Sequence, residues 1–102
     1  MIYPEKPKNI ENLPSKNVGK VSQIVGDLLI VEANLKETYE VVDLDGWVCD
    51  NNKNFIGFVI DVFGKIENPF YAIKPEEGLQ NLQDLMGKEI FYIEGTKILN
   101  GD

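Results

Sequence analysis

The stretch from 56 to 74, I-G-F-V-I-D-V-F-G-K-I-E-N-P-F-Y-A-I-K, restricts the fold more than any other part of the chain. Residues 55–63 are a run of β-branched and aromatic side chains that reads as one long strand. Gly64 interrupts the run, since glycine tolerates the positive φ that a sharp change of direction needs. Pro69 withholds a ladder N–H and biases Asn68 toward extended backbone. Residues 70–74 then resume as a second strand. The expected result is a hairpin with Phe63, Ile66, Phe70 and Tyr71 gathered around one bend. Turn tips are normally polar, so an apolar tip marks a place where a partner binds.

The flanking sequence supplies more strands of the same kind. Residues 20–25 and 28–33 are β-rich runs separated by Gly26-Asp27, a two-residue connection that closes tight hairpins. Leu28 to Val31 is continuously apolar, which predicts a strand covered on both faces. Residues 34–45 read as a polar connection that can hold a short strand at Val41-Val42. Residues 47–49 form a short strand, and the Asp50-Asn51-Asn52-Lys53-Asn54 turn leads into the central run. Gly57 marks a bend or a close backbone approach. Leu79, Leu82, Leu85 and Met86, with Gly87 as a cap, predict a short helix of about two turns. Residues 88–93 are the last strand. Several short strands with one small helix and no alternating strand–helix rhythm predict an all-β fold, a small closed barrel. The expected organisation is an extended lead-in over 1–17, where Pro4, Pro7 and Pro14 fall, a barrel over 18–96 and a tail over 97–102.

Charge narrows the chemistry. The formal net charge is −7 and the pI about 4.5. All ten basic residues are lysines, so the side chain that forks onto phosphates and stacks on bases is missing. A domain that grips nucleic acid alone shows a basic patch, so direct nucleic-acid binding is disfavoured and a basic protein partner is the better electrostatic match. Histidine is absent and Cys49 is the single cysteine. That excludes a Ser-His-Asp triad, a Cys-His pair and a zinc ribbon. No enzymatic activity, cofactor or metal is expected. No apolar run approaches the ~20 residues of a membrane helix, and the start carries no secretory pattern.

Several local patterns have ordinary readings. Asp43-Leu44-Asp45-Gly46 resembles the start of a calcium loop, but its glycine comes too early, and a simple turn is favoured. The glycines do not form a phosphate-binding loop. Trp47 is read as a packing residue. Strict alternation across 58–63 groups Phe58, Ile60 and Val62 on one face and Val59, Asp61 and Phe63 on the other. Asp61 then marks a solvent-facing side that carries apolar neighbours, and such a patch points to a protein interface. Carboxylate catalysis at Asp61 is the weaker alternative.

Gly57-x-x-x-Asp61-Val62-Phe63-Gly64, then Ile66, Pro69-Phe70-Tyr71 and Ile73-Lys74, resembles the hallmark hairpin of the H/ACA ribonucleoprotein barrel family. That family includes a glycine-arginine-rich core subunit and its relative, a nuclear assembly factor. Further anchors are Val18-Gly19-Lys20-Val21, Leu29-Ile30-Val31 and Gly87-Lys88, so the likeness covers roughly residues 13–96. Leu13-Pro14 and Asn68-Pro69-Phe70-Tyr71 are more similar to the assembly-factor branch. Lys65 departs from the pattern, which usually has proline after the Phe-Gly pair.

The resemblance implies a six-stranded barrel of the translation-elongation-factor second-domain type. It also implies docking on a dyskerin-type pseudouridine synthase during particle assembly, without catalysis and with guide RNA contacted only indirectly. The alternatives are the mature-particle core subunit, or a translation-factor-like barrel that touches RNA itself. A nuclear location follows for a eukaryote and a cytoplasmic one for an archaeon, and the free chain is expected to be monomeric. The partner-binding set is Asp61, Phe63, Gly64, Lys65, Ile66, Pro69, Phe70 and Tyr71. Phe63, Ile66, Phe70 or Tyr71 are its expected anchors, with Asp61 at a polar rim.

Overall fold

Six antiparallel strands close into a barrel in the computed structural model, which describes residues 4–33, 45–65 and 67–94. In chain order the strands are β1 (Ser15–Val25), β2 (Leu28–Ala33), β3 (Trp47–Cys49), β4 (Phe55–Lys65), β5 (Asn68–Pro75) and β6 (Glu89–Ile93). Around the barrel they run β1-β2-β5-β4-β3-β6. Closure pairs the edges that an open sheet would leave bare. The expected hairpin between β1 and β2 is present: Val25 faces Leu28 across Gly26-Asp27, and Gly26 takes φ +62°.

Alternating side chains divide the apolar residues between two clusters. Val18, Val21, Leu29, Val31, Val48, Tyr71, Ile73, Ile90 and Tyr92 fill the barrel interior. Trp47, Cys49, Phe58 and Ile93 form a second cluster on the outer side of β3, β4 and β6. Residues before β1 cover it, with Ile10 and Leu13 packed on it from a short 3-10 turn at Ile10–Asn12. β1 begins at Ser15, five residues ahead of the β-rich run at 20.

Gly57 is where the chain comes closest to itself. A Cβ there would lie 2.1 Å from the Lys74 carbonyl oxygen, so only glycine lets β4 and β5 approach at this point.

Two local expectations are corrected, and a third falls on residues that are not described. The helix is a single 3-10 turn, Leu82–Leu85, and no α-helix occurs among the described residues. Asn81 before it has φ 56° and Gly87 after it φ 78°, so too few residues lie between left-handed positions to nucleate an α-helix. Leu85 is buried and Leu79 and Leu82 rest on the interior cluster, while Met86 points to solvent. Gly64 is not the corner of the central hairpin. β4 continues through it to Lys65, Gly64 pairs with Pro69, and Lys65 pairs with Asn68. The ladder therefore runs on to the Lys65–Asn68 pair, past the expected corner. The expected strand at Val41-Val42 lies outside the described residues.

Candidate functional site

An apolar groove of about 530 Å³ crosses the outer wall of β1, β2, β5 and β4. Its floor is Ile30 and Ala72, 7% and 5% exposed. Phe63 and Phe70 wall one side, stacked with ring centroids 5.7 Å apart and planes inclined by 19°. Val25 and Leu28, on either side of the β1–β2 turn, wall the other. Val25 is 53% exposed and Phe63 43%, unusual openness for side chains of this size on one face.

The register shows how the sequence builds this wall. Gln23 pairs with Ile30, Ile30 with Ala72, and Ala72 with Asp61, giving a row that is polar at its ends and apolar between. Next to it Glu32, Phe70 and Phe63 form a parallel row. A β-bulge between Val59 and Asp61 sets the direction of the β4 side chains. One extra residue on the bulged strand reverses the in-out phase beyond it. Val59 thus lies in the interior core and Val62 packs against that core, although they are three residues apart. The grouping of Val59 with Asp61 and Phe63 is corrected accordingly: Val59 points inward and the other two outward.

Asp61 is the one charged residue lining the groove among the described residues. Its Oδ1 accepts a hydrogen bond from the Val62 N–H at 2.9 Å, which holds the carboxylate beside the backbone of the bulge. Near the opposite wall Lys74 donates to Asp27 at 2.9 Å. That hydrogen bond, reinforced by the lysine's charge, keeps the Asp27 carboxyl below its ordinary range. No group of three or more Cys, Asp or Glu that could hold a metal occurs among the described residues. Cys49 is fully buried in the second cluster, where burial, aided by the nearby Asp50 charge, pushes its thiol up to about 11.

Of the eight expected partner-binding residues, Asp61, Phe63 and Phe70 line the groove. Gly64 and Lys65 are exposed at the end of β4. Ile66 lies outside the described residues. Tyr71 and Pro69 are buried in the free chain, Tyr71 to 1% exposure. The expectation that Tyr71 offers an accessible anchor is therefore corrected, because it follows Phe70 on the strand and must point to the opposite side of the sheet. Tyr71 sits among the interior aliphatics.

The other half of the groove, Gln23, Val25, Leu28 and Ile30, is absent from the expected set. One signal for it is in the sequence. The uninterrupted apolar run from Leu28 to Val31 leaves Leu28 and Ile30 facing away from the core that Leu29 and Val31 enter. A strand apolar on both faces needs a second cover, and here Ile30 is buried at the groove floor while Leu28 beside it stays half-buried.

Known proteins share this architecture. The solved structure of the Gar1 domain of NAF1 superposes with a TM-score of 0.71 at 26% identity, covering 89% of this chain and 97% of that one. The chain is 28% identical over 98 residues to the H/ACA ribonucleoprotein complex non-core subunit NAF1 of Saccharomyces cerevisiae, in two strains. That alignment takes in 88% of this chain but 20% of the yeast protein, so the chain spans about a fifth of the length of the curated relatives it matches. The named relatives fall on the assembly-factor side of the resemblance. The family described as the Gar1/Naf1 RNA binding region matches residues 15–99, from the first residue of β1 to beyond the end of β6, and the chain belongs to that family.

Proposed function

We propose that this domain is a non-catalytic docking module of H/ACA ribonucleoprotein assembly. It seats a dyskerin-type pseudouridine synthase in the groove between the Phe63–Phe70 stack and the Val25–Leu28 wall. One observation carries the reading: a contiguous, open apolar surface with a single carboxylate at its edge, on a barrel whose interior is otherwise filled. Such a surface gains free energy when covered, and aromatic anchors in a pocket usually supply most of an interface's binding energy. An acidic chain suits a basic partner. The relatives' role in the H/ACA particle supplies the context, and with it a nuclear location.

Substitution separates anchor from core. Phe63→Ala should weaken binding to the synthase by at least ~2 kcal/mol while leaving the free domain folded. Unchanged affinity would remove the groove from the interface. The family's description supports a second reading, direct contact with RNA. The lack of arginine and the −7 charge weigh against it. Submicromolar binding of structured RNA by the isolated domain, measured by filter retention, would reverse that preference.

A further inference from the structure

On the far side of β4 from the groove, the cluster around Trp47 is covered by residues 4–14. This cover is held by side chains. Among the described residues no backbone hydrogen bond joins residues 4–13 to a barrel strand, and the chain is first tied down by backbone where Glu94, just past β6, donates its N–H to the Pro14 carbonyl. Ile10 and Leu13 sit half-buried on the cluster. Lys53, held in a turn that the Asp50 carboxylate caps, donates to the Leu13 carbonyl at 2.7 Å and the Ile10 carbonyl at 3.3 Å. A further attachment is Lys6. Its ammonium pairs with the Glu76 carboxylate. It also lies 5.0 Å from the Phe55 ring centre and 5.6 Å from that of Trp47.

Those two rings stand edge to face, 5.4 Å apart with planes at 74°. Two aromatic rings and a carboxylate around one ammonium are the elements of a cation-binding cradle, because the ring quadrupoles and the carboxylate all attract positive charge. The Trp47 indole N–H adds a second, independent mark. It is buried with no acceptor, and a buried donor of that kind carries a free-energy cost that a carbonyl in a better-fitting segment would relieve.

We propose that Trp47, Phe55 and Glu76 form an ammonium-binding site, occupied in cis by Lys6, which accepts a lysine-bearing apolar segment in trans when residues 4–14 lift away. The strap itself gives the ligand's chemistry: a lysine followed by branched aliphatic residues four and seven positions later, as Lys6, Ile10 and Leu13 are spaced. This site is separate from the groove and does not depend on what the groove binds.

Trp47 is the sole tryptophan, so its emission reports on this face alone. In the full chain, Lys6→Ala should raise acrylamide quenching of Trp47 with little change in the melting temperature. A triple variant, Lys6→Ala with Ile10→Ala and Leu13→Ala, should expose Trp47 further. The probe is a synthetic peptide of residues 4–14, which contains no tryptophan. It should bind the triple variant saturably and restore the protection of Trp47. A peptide with alanine in place of Lys6 should bind about tenfold more weakly, the combined effect of a cation–π contact and an exposed ion pair. Equal affinity of the two peptides, or no binding, overturns the ammonium site. Failure of the triple variant to fold, seen in its circular dichroism melt, overturns the detachable strap, since it would make residues 4–14 an integral part of the barrel's stability.

Discussion

Phe70 and Tyr71 are adjacent in sequence and opposite in role. Phe70 lies on the outer wall against Phe63, and Tyr71 is packed inside the barrel. Tyr71→Ala should therefore cost the free domain about 3–5 kcal/mol, the range for truncating a buried aromatic. Phe63→Ala removes a ring that is already 43% exposed and should cost about 1 kcal/mol or less. Urea unfolding of the two variants side by side checks this; equal losses would mean that the stack is core. Cys49 allows a pH prediction. Its folded thiol is raised from 9.0 to about 11 by burial, so the folded state favours the neutral form more than the unfolded chain does. The resulting stabilisation is fully present below pH 9 and is lost as pH rises through 11. Native protein at pH 8 should leave a thiol-specific reagent unreacted, with labelling appearing only as the chain unfolds. Cys49→Ala should flatten the alkaline limb of the stability profile.

The hairpin β4–β5 was legible because its signal is redundant: two β-rich runs, a proline that fits a strand's first residues, and a glycine that only a close approach explains. Its facing was not, because a bulge leaves no mark in period-two spacing. The run from Phe58 to Phe63 reads equally well with or without an extra residue at Ile60, and only pairing against β5 decides it. The leucine spacing after β5 misled for a related reason. Three- and four-residue intervals fit an α-helix, but backbone turns at Asn81 and Gly87 cut the segment to one 3-10 turn while keeping the same leucines inward. Half of the groove was missed because it lies on β2 and the β1–β2 turn, far in sequence from the hairpin and joined to it only by the barrel order. Gly57→Ala tests the closest point of that assembly. The added methyl would meet the Lys74 carbonyl oxygen and the Pro75 Cα, both backbone, so β4 and β5 must separate there. A loss of about 2 kcal/mol or more in urea unfolding is expected, and a loss below ~0.5 kcal/mol would show that the strands have slack at this point.

Across the whole molecule, the unevenness of the surface matters more than its average. The chain carries −7 overall, while its open groove holds one carboxylate among apolar side chains. Long-range charge and short-range burial should then control different steps of association. Fields from exposed charges reach about 8 Å at physiological salt and mainly speed encounter, whereas desolvated aromatics mainly set how long a complex lasts. For a basic partner seated in the groove, raising salt should slow association steeply and leave dissociation nearly constant. Asp61→Asn removes one charge but keeps an oxygen that can accept from the Val62 N–H. It should lower the association rate by about threefold or less and flatten its salt dependence, with little change in dissociation. Phe63→Ala should do the reverse, speeding dissociation by about thirtyfold for a loss of ~2 kcal/mol while hardly touching association. Surface plasmon resonance across a salt series resolves both rates for all three proteins. If Phe63→Ala slows association instead, the ring guides encounter rather than anchoring the complex. If Asp61→Asn dissociates as fast as Phe63→Ala, the carboxylate is paired and desolvated within the interface, and the groove recognises its partner through a buried ion pair rather than through its aromatic wall.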